Sequence, residues 1–318
     1  MPLLYVTDLA YPARGRRYGD EDIFLTSRLR EHFDLALCHP ADARALMPGF
    51  DAVIVRNSGP VLHYQEEYDA FRAAALAAGT PVYNPLTGRG DMAGKQYLLD
   101  LTAAGYPVIP TVDDPARLGE LPQVPEYVVK PKQGADSIGL TYTAAPDGPA
   151  GAVLIQPRID FSYEVSFYFV DDAFQYALHA PDPARRWELR PYEPTGEDLA
   201  FARSFVEWNT LAHGIQRVDA CRAPSGELLL VELEDLNPYL SLGLVPTEAQ
   251  DKDERCCSGA HPCARTPQAC PCPCPRADRQ GGLAEHRWEG SEPRRCAGTH
   301  HDPRFLKIDN GPPNLRSH

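Results

Sequence analysis

The 318-residue chain is short of several things, and each shortage excludes a class. It lacks a basic excess: the net charge is −13, which argues against a nucleic-acid partner. It lacks long apolar runs. The longest, such as 52–55 and 73–78, are far too short to cross a bilayer, so no membrane partner is expected. The N-terminus has no basic region followed by an apolar stretch, so no secretory signal is visible and a cytoplasmic location is expected. No Gly-x-Ser-x-Gly elbow, no Walker-type ending and no internal repeat is present. Cysteine is scarce until late: of nine, only Cys38 and Cys221 precede residue 248, and neither is expected to act as a nucleophile.

Composition breaks at that point. Over 249–318 the aliphatic residues thin to Leu283, Leu306, Ile308 and Leu315, and proline, arginine, cysteine and histidine dominate. Such a segment cannot bury enough apolar surface to offset its ordering entropy, so 248–318 is expected to be a disordered tail. Cys270, Cys272 and Cys274 with His261 and His286 supply metal-ligand types, but the one-residue spacing is not that of zinc sites. The abruptness of the break also motivates the expectation of an out-of-frame reading of a natural C-terminus.

Over the whole chain 43% of the residues are apolar, enough for a sizeable core. The first 93 residues alternate strand and helix signals: strands at 3–6, 51–55 and 80–83, a helix that Asp20 is placed to cap, and a helix over 65–78 stopped by Gly79. This is the rhythm of an open parallel α/β domain. From 94 the pattern changes. A helix is expected from Gly94-Lys95 to Gly105, then a proline-rich connector over 113–125. Strands follow at 127–130, 139–143, 153–156, 163–170 and 174–179, a helix at 197–212, and strands at 216–222 and 227–234. Consecutive antiparallel strands with few helices mark an α+β region.

Two runs carry chemistry. In the first, Arg217-Val-Asp219 and Val231-Glu232-Leu-Glu234-Asp-Leu-Asn237 read as two strands joined through Ser225-Gly226. Alternation in a strand points Glu232 and Glu234 to one side, and the hairpin brings Asp219 beside them. Three carboxylates on one face repel unless a cation sits among them, and hard oxygen ligands suit Mg²⁺ or Mn²⁺. A solvated acidic edge is the competing reading. In the second, Val129-Lys130-Pro-Lys132-Gln-Gly134-Ala135-Asp-Ser137 delivers a lysine to a strand end ahead of a glycine-bearing turn. Glycine lets backbone N–H groups approach phosphate oxygens, and the alternative is an ordinary hairpin with surface lysines. Ile155-Gln156-Pro157-Arg-Ile159 then leaves a strand through a proline, and Glu164 opens the next strand.

In their order, these residues over about 50–245 resemble the ATP-grasp superfamily, in the glutathione synthetase and D-alanine–D-alanine ligase-like branch. The resemblance implies a Rossmann-like N-terminal domain (1–93), a small ATP-grasp lobe (94–157) and a large lobe with the metal site (158–247). It implies ATP and Mg²⁺ (or Mn²⁺) as cofactors. Lys95 and Lys130 would hold the α- and β-phosphates, and Gly134, Ala135 and Ser137 would lie in a loop closing over the triphosphate. Gln156, Pro157 and Ile159 would form the adenine hinge, with Glu164 near the ribose. Asp219, Glu232, Glu234 and Asn237 would supply metal ligands, and Arg217 would stabilise the transferring phosphoryl group. Arg56, Asn57 and Arg190 are weaker expectations for substrate contacts. Many relatives read Glu-x-Asn at the metal strand, where this chain has Glu232-Leu-Glu234, so either Glu234 or Asn237 is expected in place of the amide. They also usually finish with a further helix.

The implied activity is ATP-dependent ligation of a carboxylate to an amine through an acyl phosphate, on small amino-acid-like or peptide substrates. Cyclising synthesis of the D-cycloserine-forming type, hydroxyl phosphorylation and an inactive nucleotide-binding module are the alternatives. A homo-oligomer is left open.

Overall fold

A computed structural model of the protein describes residues 1–11, 18–56, 64–133, 139–236 and 238–245. The expectations for the tail and for Asn57, Gly134, Ala135, Ser137 and Asn237 lie outside them.

The N-terminal part is a four-stranded parallel sheet in the order β2-β1-β3-β4, formed by β1 (Pro2–Val6), β2 (Asp34–Cys38), β3 (Ala52–Val55) and β4 (Val82–Tyr83). β1 and β3 are apolar along their length because both faces are covered, as parallel strands require. The helices are α1 (Tyr18–Leu29), the single turn α2 (Ala43–Leu46) and α3 (Gln65–Ala78). α3 packs Tyr68, Phe71 and Ala75 into a core with Leu4, Val53 and Val55. It stops at Gly79, whose φ of +65° is a left-handed cap that a side chain would strain. Two expectations need correction. Asp20 lies inside the first turn of α1, because the helix already starts at Tyr18. The strand Asp34–Cys38 was not anticipated, since the apolar residues of α1 run on towards Phe33 and hide the boundary.

Two antiparallel sheets follow. The smaller, β6-β5-β7, consists of β5 (Tyr127–Pro131), β6 (Thr141–Thr143) and β7 (Val153–Pro157). The larger, β10-β9-β8-β11-β12, consists of β8 (Tyr163–Val170), β9 (Ala173–Ala180), β10 (Arg190–Tyr192), β11 (Ile215–Arg222) and β12 (Leu228–Glu234). Its inner face packs Val165, Phe167, Phe169 and Val218 against Ala202 and Phe205 of α5 (Gly196–Asn209) and Leu98 and Leu101 of α4 (Tyr97–Ala103). Thr195 and Asp198 close the start of α5 as a capping box. The helix expected from Gly94 begins at Tyr97, so Lys95 precedes it on an irregular segment. The connector over 113–125 contains a 3₁₀ helix, Pro115–Glu120, capped by Asp114. No helix among the described residues is long and apolar enough to cross a membrane.

Candidate active site

The β11–β12 hairpin sets the geometry. Its register pairs Arg217 with Glu234 and Asp219 with Glu232. Alternation puts these four on the face away from the core, while Val218 and Leu233 point into it. β8 adds Glu164, Ser166 and Tyr168 to the same face, opposite Cys221, Asp219 and Arg217. A cavity of about 890 Å³ lies between this face and the small sheet, which contributes Lys130 from β5 and Gln156 and Pro157 from β7. Ile159 and Lys95 also line it. The nucleotide-type residues expected from sequence and described by the structure are therefore brought to one cavity.

Its charges are unevenly satisfied. Arg217 donates from Nε (2.9 Å) and Nη2 (2.7 Å) to Asp219, from Nη2 to Glu234 (2.6 Å), and from Nη1 to the Tyr239 carbonyl (3.0 Å). Lys95 Nζ donates to Asp91 (3.1 Å) and Glu232 (2.8 Å). Lys130 is 8% exposed and, among the described residues, has no hydrogen bond or ion pair. Burial, reinforced by the Lys95 ammonium, lowers Lys130 to about 8. Burial acts on Lys95 in the same direction, but Asp91 and Glu232 override it and raise that ammonium. Glu232 is held down to about 2: burial opposes this, and the Lys95 and Lys130 ammonium groups win. Glu234 moves the other way, pushed up by burial despite Arg217, with Asp219 adding repulsion. Burial also pushes the Cys38 and Cys221 thiols up to about 12, which leaves neither as a ready nucleophile.

At the hinge side, Gln156 donates to Thr111 Oγ1 at 2.8 Å, so its amide nitrogen is already engaged. Glu164 accepts from Arg186 Nε at 2.6 Å.

No family model matches the chain. A curated relative, the cycloserine biosynthesis protein DcsG of Streptomyces lavendulae, is 26% identical over 246 residues, covering 65% of this chain and 82% of the relative. Among solved structures, D-cycloserine synthetase DcsG matches with a TM-score of 0.62 at 22% identity, over 78% of this chain and 96% of that one. D-alanine–D-alanine ligase from Bacillus anthracis, complexed with ATP, matches at 0.56 and 14% identity, over 80% and 92%. The ATP-grasp ligase PsnB with a minimal precursor matches at 0.50 and 17% identity, over 76% and 92%. The chain has the ATP-grasp fold.

Within that ATP-grasp frame, three donors form a tighter group than the hairpin alone suggests. One carboxylate oxygen each from Asp91, Glu232 and Glu234 lies within 4.8 Å of the others, and this hard-donor set fits Mg²⁺ or Mn²⁺. Asp219 is not in the group; Arg217 engages both of its oxygens. Sequence reasoning missed Asp91. Its signal was faint: an acid four residues before Lys95, between Gly90 and Gly94. The segment carrying Asp91 is pinned by Asp235, which accepts from Gly90 N (3.0 Å), Met92 N (2.7 Å) and Asn209 Nδ2 (3.0 Å). A Cβ at Gly90 would lie 2.6 Å from the Leu233 carbonyl, so only glycine lets this backbone approach β12.

Two substrate expectations fall away from the cavity. Arg56 is 2% exposed and bonded to Asp22 and the Pro238 carbonyl. Arg190 lies on the edge strand β10, paired with His179, and does not line the cavity.

Proposed function

We propose that the chain is an ATP-dependent ligase joining a carboxylate to an amine through an acyl phosphate, with small amino-acid-like or peptide substrates. The observation that carries this is Lys130: a buried ammonium without a partner among the described residues, facing a cavity that also holds Lys95 and converging carboxylates. An unpaired buried cation is costly, and an anionic ligand removes the cost. The proposed lobes are 1–93, 94–157 and 158–247, with 248–318 as a tail.

Lys130 and Lys95 hold the phosphates, and Gly134, Ala135 and Ser137 are the residues expected to close over them. Gln156, Pro157 and Ile159 border the base, and Glu164 the ribose. Asp219, Glu232, Glu234 and Asn237 are the expected metal-side donors. When bound there, Mg²⁺ would supply charge neutralisation at the transferring phosphoryl group. Arg217 is held rigidly by three acceptors and offers preorganised positive charge there. The substrate carboxylate takes the γ-phosphoryl group, ADP leaves, and the amine then displaces phosphate. Lobe closure keeps water from the acyl phosphate. No covalent enzyme intermediate is needed, in keeping with the two inert thiols.

A second reading, cyclisation within one small amino-acid-derived substrate, is favoured by the likeness to DcsG. ADP release is measured against a panel of carboxylates and amines, with product masses read in parallel. Release that requires a carboxylate supports ligation, and a product lacking one water relative to a single substrate supports cyclisation. Turnover without ATP ends both readings.

A further inference from the structure

The group Asp91, Glu232 and Glu234 contains a feature that the hairpin residues do not explain. Two of the three carboxylates share one lysine ammonium, with Lys95 Nζ 3.1 Å from Asp91 and 2.8 Å from Glu232. A monovalent side-chain cation thus sits among donors suited to a divalent ion. The second, independent sign of a ligand is Lys130, which is 8% exposed, lines the same cavity as Lys95, and has no partner among the described residues. A polyphosphate arriving at Lys130 also attracts the neighbouring Lys95 ammonium. Once Lys95 turns to the phosphates, Asp91 and Glu232 lose their counter-charge while remaining within 4.8 Å of Glu234. Carboxylates that close repel in a half-buried setting unless another cation enters.

Asp91 is also built to stay where it is. The Asp235 carboxylate grips the backbone on both sides of it through Gly90 N and Met92 N. Asn209 ties Asp235 to Gln216 of β11 and accepts from Arg89 N. The segment that supplies Asp91 is therefore locked to the hairpin that supplies Glu232 and Glu234.

We propose that Asp91 is a further carboxylate donor of the divalent-cation site, and that Lys95 Nζ stands in for the cation until phosphates draw it away. This rests on the ATP reading above and deepens it: Asp91 enters from outside the hairpin that carries the donors named there.

Mn²⁺ binding to the purified full chain, followed by the electron paramagnetic resonance signal of the free ion, tests this. Without nucleotide, Lys95→Met is expected to bind Mn²⁺ at least tenfold more tightly than the wild type. Adding Asp91→Asn removes the gain. Lys132→Met, which takes the same charge from the separate Asp113 pair, gives none. With a non-hydrolysable ATP analogue present, Asp91→Asn alone weakens Mn²⁺ binding at least fivefold. The proposal is overturned if the double variant keeps the gain, or if Asp91→Asn matches the wild type with the analogue. Should Lys95→Met fail to fold by thermal melting, the analogue experiment decides. Binding of a fluorescent ATP analogue to the wild type separates the two readings. Its absence ends the ATP reading and leaves the nucleotide-free comparison to judge Asp91 and Lys95.

Discussion

The Arg56 cluster and the Lys95–Lys130–Arg217 cluster both bury cations among carboxylates, yet one is closed and the other faces a cavity. Arg56 donates to Asp22 at 3.2 Å and lies 3.8 Å from Glu21. Asp22 also accepts from Tyr5 and Thr7, and Glu21 accepts from Leu240 N and Leu242 N. Cation, acids and backbone compensate one another, and none of Arg56, Glu21 and Asp22 is more than 6% exposed. Such a cluster joins the N-terminal sheet to the chain leaving β12. In the second cluster Lys95 and Arg217 are compensated, but Lys130 is left over. What distinguishes the two clusters is that the second holds a buried lysine with no hydrogen bond or ion pair among the described residues, beside an open volume.

The largest expected effect tests the closed cluster. Arg56→Met leaves two buried carboxylates without their cation and should cost about 3–5 kcal/mol in chemical denaturation. The folded fraction should still bind nucleotide nearly normally. Retained stability with lost binding would erase the distinction.

Lys130→Met should do the opposite. The fold should gain stability at neutral pH, because an unpaired buried charge is removed, while titration with a fluorescent ATP analogue should show binding weakened by roughly 10- to 100-fold. A loss of stability would mean that Lys130 has a structural partner.

The pH dependence sharpens the same point. Phosphate favours the protonated lysine, so nucleotide affinity should be highest below about pH 8 and fall as pH rises through the Lys130 value of about 8. Lys130→Arg should flatten the profile. For stability the sign is reversed. The folded value lies below that of an unfolded lysine, about 10.4, so between the two the unfolded chain binds more protons and stability rises with pH. The stability advantage of Lys130→Met should therefore shrink across that window.

The smallest effect is expected at the rim. Glu164→Gln removes the charge that Arg186 holds at 2.6 Å, and that arginine is half-exposed. Nucleotide affinity should change by no more than about fivefold, near the 1 kcal/mol that such surface pairs contribute.

Much of the fold was legible because local chemistry and tertiary packing agree. β8 was readable over its full length, Tyr163–Val170, from its apolar and aromatic residues, and α3 from Tyr68, Phe71, Leu76, its alanines and the Gly79 stop. β10 was not: its three residues include a proline and carry no alternation. Within the site, Glu232 and Glu234 were legible because a two-residue period dictates a common face. Asp91, which joins Glu232 and Glu234, and Arg186, which lines the cavity, were not, since each sits on a segment whose path depends on contacts distant in sequence.

The sequence by itself determined the types of charge, their order along the chain and the strand periodicity that turns Arg217, Asp219, Glu232 and Glu234 to one side. Those are local properties of a pleated backbone. Only the tertiary structure decided how the charges pair: Arg217 takes Asp219 and Glu234, Lys95 takes Asp91 and Glu232, and Lys130 has no direct partner among the described residues. Pairing depends on distance and burial, and both arise only when the Asp235-anchored segment, the small sheet and the hairpin close around one cavity.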